Sequence, residues 1–325
     1  MTDRPRAAYG ARMDAEPTPR QLVDRLVALL QLDPLGGDAF LGPPTPHGLQ
    51  NGAGRLFGGQ VIAQALLAAE ATAPDGRPPH SLHAYFLRMG SDDIPIRYEV
   101  SRDFDGGSFA NRRVVAMQES AEKGSRLLLS LTASFHRRED GFEHQDAMPD
   151  VPGPETLRND RELLREKLGA HPQYRDSALI APRPLDQRTI QARNLTDPKP
   201  MAPHVQTWIR TSAPVGDDPR LHRAILAYAS DFVMLPTASR PHGQSWFLGE
   251  VQEASLDHAV WFHDDFRVDE WLLFETHSPR ASRSRGLATG RVFRRDGTLV
   301  ASLAQEGMMR MPKGDARSSP SSTPR

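Results

Sequence analysis

The feature that most constrains the fold is an internal repeat with a period of about 174 residues. The segment SLHAYF, which begins at Ser81, corresponds to SLDHAVWF, which begins at Ser255, 174 positions later. The segments SFANRR and SRSRGL repeat this spacing, and LLLSLTAS and LVASLAQE lie 172 positions apart. A duplicated pattern of this kind predicts two copies of one structural unit in a single chain.

Each copy begins with an apolar helical segment and continues with strand-like segments. In the first copy, FGGQVIAQALLAAE predicts a helix that is buried on nearly all sides, and four strand-like segments follow it before residue 137. In the second copy, LHRAILAYASDFVMLPTASRP (residues 221–241) carries an apolar stripe at helical spacing and predicts a single helix, again followed by strands. One long helix with several antiparallel strands predicts an α+β unit whose sheet wraps the helix. Two such units side by side would form an intramolecular dimer.

Changes in composition along the chain predict its domain boundaries. A short helix is expected from about Pro19 to Leu32, where leucines keep helical spacing. The predicted parts are a disordered tail over 1–19, a first unit over 20–140, a linker with a polar helix over 141–180, a second unit over 181–312, and a second disordered tail over 313–325.

Charge and cysteine content exclude several classes of function. Forty basic against 41 acidic residues leave a formal charge of −1, which does not favour nucleic-acid binding. The chain has no cysteine, so disulfides, thiolate metal sites and a cysteine nucleophile are excluded. No run of about 18 apolar residues predicts a membrane span, and the N-terminal segment has no apolar run of signal-peptide length. We therefore expect a cytoplasmic protein.

An aspartate interrupts the apolar helical segment of the second copy. In AYASDFVMLP (residues 227–236), Asp231 stands at the edge of the stripe that contains Tyr228 and Phe232. Burying an ionised carboxylate is costly unless a neighbouring group uses it. Two interpretations stay open: a carboxylate that is solvated or caps a neighbouring element, or a general base in a dry cleft. The first copy has only FGG (residues 57–59) at the matching place. This asymmetry indicates that the second half carries the catalytic group and the first half shapes the site.

Three further polar residues are candidates for the same chemistry. Ser255 lies in a strand-like segment, where its hydroxyl can bind a water or a carbonyl; no GxSxG elbow surrounds it, so the sequence gives little support to a nucleophile. Gln305 lies in the otherwise small and apolar SLAQEGMMR, and its amide can both donate and accept. For each residue, a merely structural position on a strand is the alternative. His80 is a reserve candidate for acid or base chemistry, although a structural or pocket-lining role suits it better.

Two other patterns were considered as binding sites. His258 and His263 lie close to Asp257, but metal ligands on a strand prefer alternate positions on one face, and 258 and 263 differ by an odd number. We therefore predict no metal site there. An arginine-rich stretch is either an exposed hairpin or a landing patch for substrate phosphates. It comprises Arg280, Arg283, Arg285, Arg291, Arg294 and Arg295.

Seven longer segments resemble one known family. FGGQVIAQAL, HSLHAYFLRMG, FEHQDAMP, YASDFVMLP, SLDHAVWFH, EWLLFETHS and LAQEGMMR, in this order within residues 20–312, closely resemble the bacterial acyl-CoA thioesterase II family. The resemblance implies a double hotdog fold, with two fused units in each of which an antiparallel sheet wraps a long helix. It implies that acyl-CoA, usually of medium to long chain, is hydrolysed to fatty acid and CoA without cofactor or metal. It also implies assembly into homodimers or homotetramers.

The resemblance also assigns site residues. The family's aspartate on the second helix, threonine or serine on the following strand, and glutamine on the last strand fall on Asp231, Ser255 and Gln305. We expect these three side chains to bind and polarise a water that attacks the thioester directly. Arg283 and Arg285 become candidates for contacts to the CoA phosphates.

Two alternatives to the thioesterase were weighed. One is an acyl-CoA binding or sensing protein that keeps the fold without turnover. The other is an enoyl-CoA hydratase, whose pattern has a histidine five residues after the aspartate. Here that position is Pro236, which does not favour the hydratase.

Overall fold

The computed structural model describes residues 16–50, 54–120, 124–169 and 180–312. Most of the two predicted tails, residues 1–15 and 313–325, and residues 170–179 of the predicted linker lie outside these ranges. No helix of the described ranges is long and apolar enough to cross a membrane.

The helices and strands follow the predicted order. The first half contains α1 (Pro19–Leu29), β1 (Asp33–Gly36), β2 (Ala39–Gly42), α2 (Gly58–Glu70), β3 (Pro79–Phe86), β4 (Ile96–Asp105), β5 (Phe109–Ser120) and β6 (Gly124–His136). A 3-10 turn (Pro154–Thr156) and α3 (Asp160–Gly169) follow. The second half contains β7 (Leu185–Thr189), β8 (His204–Thr211), α4 (Pro219–Ser230), α5 (Met234–Ser239), β9 (Gln252–Ser255), β10 (Asp257–Phe262), β11 (Leu272–Ser282), β12 (Arg285–Arg294) and β13 (Leu299–Arg310).

All thirteen of these strands join one antiparallel sheet whose strand order is symmetrical about its centre. The order is β1-β2-β4-β5-β6-β3-β10-β13-β12-β11-β8-β7, and β9 pairs with β13 beside this path. Strands β3 and β10 form the central seam, where Ala84 lies opposite His258. Since each half presents its strands in the same order outward from the seam, the sheet has the duplicated organisation that the sequence repeat predicts.

Helices α1, α2, α4 and α5 each contribute buried side chains to one hydrophobic core against the sheet. Nearly every residue of α2 is buried, as its continuous apolar composition predicts. Helix α4 begins after Asp218, whose side chain accepts a hydrogen bond from the backbone N–H of Arg220, and Pro219 occupies its first position. Side chains of α2 and α4 share one hydrophobic core with the inner faces of both halves of the sheet. The predicted α+β double hotdog architecture is confirmed.

The prediction of a single helix over residues 221–241 was wrong, because the segment divides at Asp231. Helix α4 ends at Ser230, and α5 begins at Met234. Between them, the N–H groups of Phe232 and Val233 bond to carbonyls three residues back, not four, which tightens the turn. Pro236 supplies no N–H to continue the ladder. The break lets Asp231 leave the regular helical surface.

The strand-like segment VQEASLDHAVWFH also divides in two. Strand β9 ends at Ser255 and β10 begins at Asp257, and between them the N–H of Leu256 donates to the carbonyl of Glu306. On β13, Gly307 lies opposite Ser255. A continuous strand would direct Ser255 and His258 to opposite faces. Because the strand is interrupted between them, both side chains contact Gln305.

We expect Gly59→Ala to destabilise the packing of α2 on α4. A Cβ at this position would lie 2.5 Å from the backbone carbonyl oxygen of Tyr228 and 2.5 Å from the ring of Phe57. Forcing such a contact lowers the free energy of unfolding by about 1–3 kcal/mol, measurable by urea denaturation. The matched control is Gly107→Ala, where a Cβ would meet nothing within 4 Å. Equal stability of the two variants would contradict the close approach.

Candidate active site

The carboxylate of Asp231 gathers donors from three separate elements. Its Oδ1 atom accepts from the amide Nε2 of Gln305 at 3.1 Å and from the hydroxyl of Ser255 at 3.3 Å. Its Oδ2 atom accepts from the backbone N–H of Gly59 at 2.9 Å. The same Nε2 of Gln305 lies 2.6 Å from the Ser255 Oγ atom. The three residues that the sequence analysis singled out therefore lie in mutual hydrogen-bonding contact.

Two glycines make this convergence possible. A Cβ on Gly307, opposite Ser255, would lie 2.2 Å from a methyl group of Leu235, so the glycine lets α5 close onto the strands. A Cβ on Gly58 would lie 2.7 Å from Oδ2 of Asp231 and 3.0 Å from the ring of Phe86. Because Gly58 has no side chain, the carboxylate oxygen can approach the first turn of α2.

Asp231 also supplies a cap to α2. The residue before this helix, Phe57, makes no side-chain cap, and the first four N–H groups of any helix lack partners within it. Asp231 satisfies that of Gly59 and lies at the positive end of the helix dipole. The capping interpretation left open by the sequence is therefore correct, and it is compatible with a chemical role, since the carboxylate remains only partly buried.

A buried second layer extends from Gln305. Its Oε1 atom lies 2.9 Å from Nδ1 of His258, and Nε2 of His258 lies 2.8 Å from the hydroxyl of Ser230. Gln305 and His258 are each 1% exposed, and Ser230 is completely buried. Burial lowers the pKa of His258 below its usual value, although the Asp231 carboxylate and the bond to Gln305 oppose the shift. Burial thus favours the neutral imidazole.

Sequence reasoning missed this second layer. From the sequence, His258 is interpreted only as a possible metal ligand, and Ser230 has no predicted role. The available signal was alternation: His258, Val260 and Phe262 face the buried side of β10. A histidine on a buried face needs hydrogen-bonding partners.

Aromatic side chains enclose the Asp231 junction. The Phe57 ring stacks on Phe232 with 4.4 Å between centroids and meets Tyr228 edge-on at 5.0 Å. Burial raises the pKa of Tyr228 to about 12, with a smaller contribution from the nearby Asp231 charge. Tyr228 and Phe232 also border a cavity of about 160 Å³ between α3 and α4. Its other lining residues include Leu164, Leu185, Gln187 and Arg183.

His80 lies at the other end of the molecule's helical layer. Its Nε2 atom contacts the hydroxyl of Ser134 at 2.8 Å, and burial, with a smaller contribution from His136, lowers the pKa of His80. It borders a groove of about 930 Å³ that also contains Glu70, the last residue of α2. Since a 13-residue helix is roughly 18 Å long, this groove is remote from the Gly58 end. The structure does not bring His80 to Asp231.

The arginine-rich hairpin is mostly ion-paired. Arg285 pairs with Glu306 at 2.8 Å, and Arg291, Arg294 and Arg295 each pair with a carboxylate. Arg283 lies in the turn between β11 and β12 with a positive φ of 51°, and no ion pair joins it to the described part of the chain. The turn lies near β9, because Arg285 pairs across the sheet with Met308 and Ala254 pairs with Met308 from the other side.

No group of three or more histidine, aspartate or glutamate side chains in the described ranges is arranged to hold a metal ion. His258 contacts Gln305 and Ser230, whereas His263 contacts the hydroxyl of Ser302 at 2.8 Å. The two histidines thus belong to different surroundings.

Known acyl-CoA thioesterases are similar to this protein over most of its length. A model of the acyl-CoA thioesterase family matches residues 177–308, and a model of the acyl-CoA thioesterase N-terminal domain matches residues 45–136. Acyl-CoA thioesterase 2 of Haemophilus influenzae is 34% identical over 289 residues, covering 89% of this chain and 98% of that protein. Human acyl-coenzyme A thioesterase 8 is 36% identical over 300 residues, covering 88% and 89%.

Solved structures agree on the fold. The acyl-CoA thioesterase II TesB2 of Mycobacterium marinum superimposes with a TM-score of 0.70 at 35% identity, covering 90% of this chain and all of that one. A hot dog fold protein of Alicyclobacillus acidocaldarius gives a TM-score of 0.67 at 21% identity, covering 88% of this chain and 97% of that one. The chain therefore belongs to the acyl-CoA thioesterase II family and is a thioester hydrolase.

Proposed function

We propose that the chain hydrolyses medium- to long-chain fatty acyl-CoA to free fatty acid and CoA, by direct attack of a water molecule bound to Asp231, Ser255 and Gln305. The observation that carries the proposal is the convergence of an amide, a hydroxyl and a backbone N–H on one partly buried carboxylate. Such an arrangement fixes a general base in one orientation.

The hydrogen bonds of Asp231 indicate where the water binds. A carboxylate has about four lone-pair sites. Oδ1 already accepts two hydrogen bonds, whereas Oδ2 accepts one, from Gly59. Among the described residues, one acceptor site on Oδ2 therefore remains for a water. We place the attacking water at the carboxylate, within reach of Ser255 and Gln305, with its proton passing to Asp231 as the new C–O bond forms.

The first turn of α2 supports the rest of the reaction. Attack on the thioester carbonyl develops negative charge on its oxygen, and backbone N–H groups at a helix start stabilise such charge by a few kcal/mol. Collapse of the tetrahedral intermediate then expels the CoA thiolate, a good leaving group, which takes up the proton held by Asp231 and so restores the carboxylate. This leaves the fatty acid as the second product.

A covalent route through Ser255 is less well supported. The hydroxyl contacts a carboxylate and an amide, while both ring nitrogens of the nearby His258 are engaged with Gln305 and Ser230. Nucleophilic serines usually contact a base that accepts their proton, most often histidine. Ser255 therefore serves better as a ligand of the water and of Asp231.

The hydratase and the non-catalytic binder each require a different set of residues at the site. A hydratase needs a histidine that faces the substrate, and Pro236 occupies the position of that histidine, within α5. A non-catalytic binder does not need the carboxylate of Asp231, so its substitution separates binding from turnover.

Four further points are also proposals. The cavity beside Tyr228 and Phe232 suits part of an acyl chain, because both side chains flank Asp231. Arg283 and Arg285 are proposed to contact the CoA phosphates. Assembly into homodimers or homotetramers and a cytoplasmic location stay predictions.

Thiol release from acyl-CoAs of increasing length, from acetyl to palmitoyl, tests the activity. Without cysteine, the protein itself does not react with a chromogenic thiol reagent. We expect turnover to peak at a medium or long chain, and Asp231→Asn to lower kcat by about 10²–10⁴-fold, since an amide cannot accept the proton. Near-native turnover of Asp231→Asn, or an acyl group trapped on Ser255, would contradict the mechanism.

Filling the cavity between α3 and α4 tests the acyl site. Leu164 lines it on the α3 side. We expect Leu164→Trp to move the optimum to shorter chains, raising KM for palmitoyl-CoA several-fold while short-chain kinetics stay unchanged, because the larger side chain occupies the space of the distal methylenes. A chain-length profile identical to wild type would exclude this cavity from the acyl site.

Arg283→Asn tests the contact to the CoA phosphates. Asparagine tolerates the positive φ at this turn better than most residues, so the hairpin should survive. We expect KM for acyl-CoA to rise about threefold to tenfold with kcat unchanged, since a phosphate contact made equally in the ground and transition states affects binding alone. The matching acyl thioester of N-acetylcysteamine, which has no phosphate, is the control. An equal effect on both substrates would refute a phosphate contact.

A further inference from the structure

A continuous chain of polar contacts leads from the Asp231 carboxylate into the protein core. It runs from Asp231 to Gln305 at 3.1 Å, from Gln305 to His258 at 2.9 Å, and from His258 to Ser230 at 2.8 Å. Ser230 is the residue directly before Asp231, so this series of contacts begins and ends at neighbouring residues. The proposed mechanism uses neither His258 nor Ser230.

The carboxylate sets the direction of every hydrogen bond in this chain. A carboxylate only accepts, so the group of Gln305 that faces Asp231 must be its NH2. The carbonyl Oε1 therefore faces His258 and requires a hydrogen on Nδ1. Because the ring is neutral, its Nε2 atom then carries a lone pair, toward which the Ser230 hydroxyl donates; the same hydroxyl also lies 2.9 Å from the carbonyl oxygen of Ala227. This pattern satisfies Asp231, Gln305 and His258, while the single hydrogen of Ser230 is shared between His258 and the carbonyl of Ala227.

We propose that His258 and Ser230 are positioning residues, which hold the amide of Gln305 with its NH2 toward Asp231 and Ser255. This inference rests on the proposed function, because it assigns a role to residues that support the water-binding set. Neither side chain touches the water or the thioester; both act through Gln305.

The need for such an anchor follows from the symmetry of a side-chain amide. The O and NH2 groups have nearly the same size, so packing alone does not choose between the two orientations of Gln305. In the reversed orientation, Oε1 would face Oδ1 of Asp231, where two acceptors repel each other. His258 opposes the same orientation from the other side, because its Nδ1–H would then face an NH2 group; only a shift of the hydrogen to Nε2 would accommodate it.

The surroundings of His258 are consistent with a fixed neutral ring. Two carboxylates, Asp231 and Asp257, act on it electrostatically, and both favour protonation. Burial opposes them and is the largest influence on the pKa of His258. Ala84 lies opposite His258 across the central seam, so the partner strand brings no charged side chain at that position.

Three single variants separate anchoring from packing. His258→Phe keeps a ring of similar size but removes both nitrogens, and we expect kcat to fall by about 10–100-fold with KM changed less than about twofold. His258→Asn keeps a donor near the Nδ1 position and should recover most of the lost kcat. Ser230→Ala leaves the ring without its Nε2 partner and should lower kcat by about threefold to tenfold. The matched control is His263→Phe on the same stretch of chain, for which we expect kcat within about twofold of wild type.

A double-mutant cycle with Gln305→Met provides the decisive test. If His258 acts only through the amide, His258→Phe causes no further loss of kcat once the amide is gone. If His258 merely supports the fold, the same fold-loss appears in both backgrounds, and the proposal is refuted. Should His258→Phe fail to fold, as seen by circular dichroism and thermal unfolding, Ser230→Ala in the same two backgrounds decides the question in the same way.

The outcomes also separate this inference from the proposed function. Loss of activity in Asp231→Asn together with wild-type kcat in His258→Phe and Ser230→Ala overturns the anchoring alone. Full activity in Asp231→Asn overturns the proposed mechanism. Low kcat in His258→Phe, recovery in His258→Asn and non-additivity with Gln305→Met establish the anchor.

Discussion

The hydrogen bond between the Asp231 carboxylate and the backbone N–H of Gly59 joins the two halves of the molecule at the site where the chemistry is proposed. It links the break between α4 and α5 in the second half to the first turn of α2 in the first half. The position of Asp231 therefore depends on the first half, and the cap of α2 depends on the second. A carboxylate at a helix N-terminus is stabilised by the exposed N–H groups and by the helix dipole. The same contact fixes the proposed base and brings it beside backbone donors suited to a developing oxyanion. The cap on α2 explains why the aspartate is tolerated within an apolar segment.

The sequence was sufficient to predict the architecture, because the repeat, the buried helix and the alternating strands are each set by local periodicity. It also supplied Asp231, Ser255 and Gln305, but only the resemblance to a family brought them together. The breaks at Asp231 and Leu256 were not predictable from periodicity, since the apolar stripe continues through the first and the alternation through the second. They arise from tertiary contacts, which local patterns do not record.

The two halves share a strand order but not a polar site. Across the seam, Ala84 stands opposite His258, and the position that matches Asp231 falls in the FGG segment at the start of α2. A second carboxylate there would require a second set of buried amide, hydroxyl and imidazole partners, each costly to desolvate if incompletely satisfied. Small residues in the first half instead allow α2 to approach α4 closely, since a Cβ on Gly59 would clash with the carbonyl of Tyr228. The first half thus allows the close packing of α2 on α4, and the second half supplies the polar groups of the candidate site.

Fusion of the halves in one chain makes this division of labour possible. In a symmetrical pair of identical units, every residue occurs twice, so a glycine-rich helix start and the aspartate that caps it would have to be encoded in the same unit. A duplicated chain can let the copies diverge, so that one helix starts with two glycines while the other helix breaks to present a carboxylate. The seam between β3 and β10 and the common core keep the diverged copies in register. A buried chain that runs from Asp231 to Ser230 can then lie wholly within the second half, where four residues on three elements fix one another's donors and acceptors.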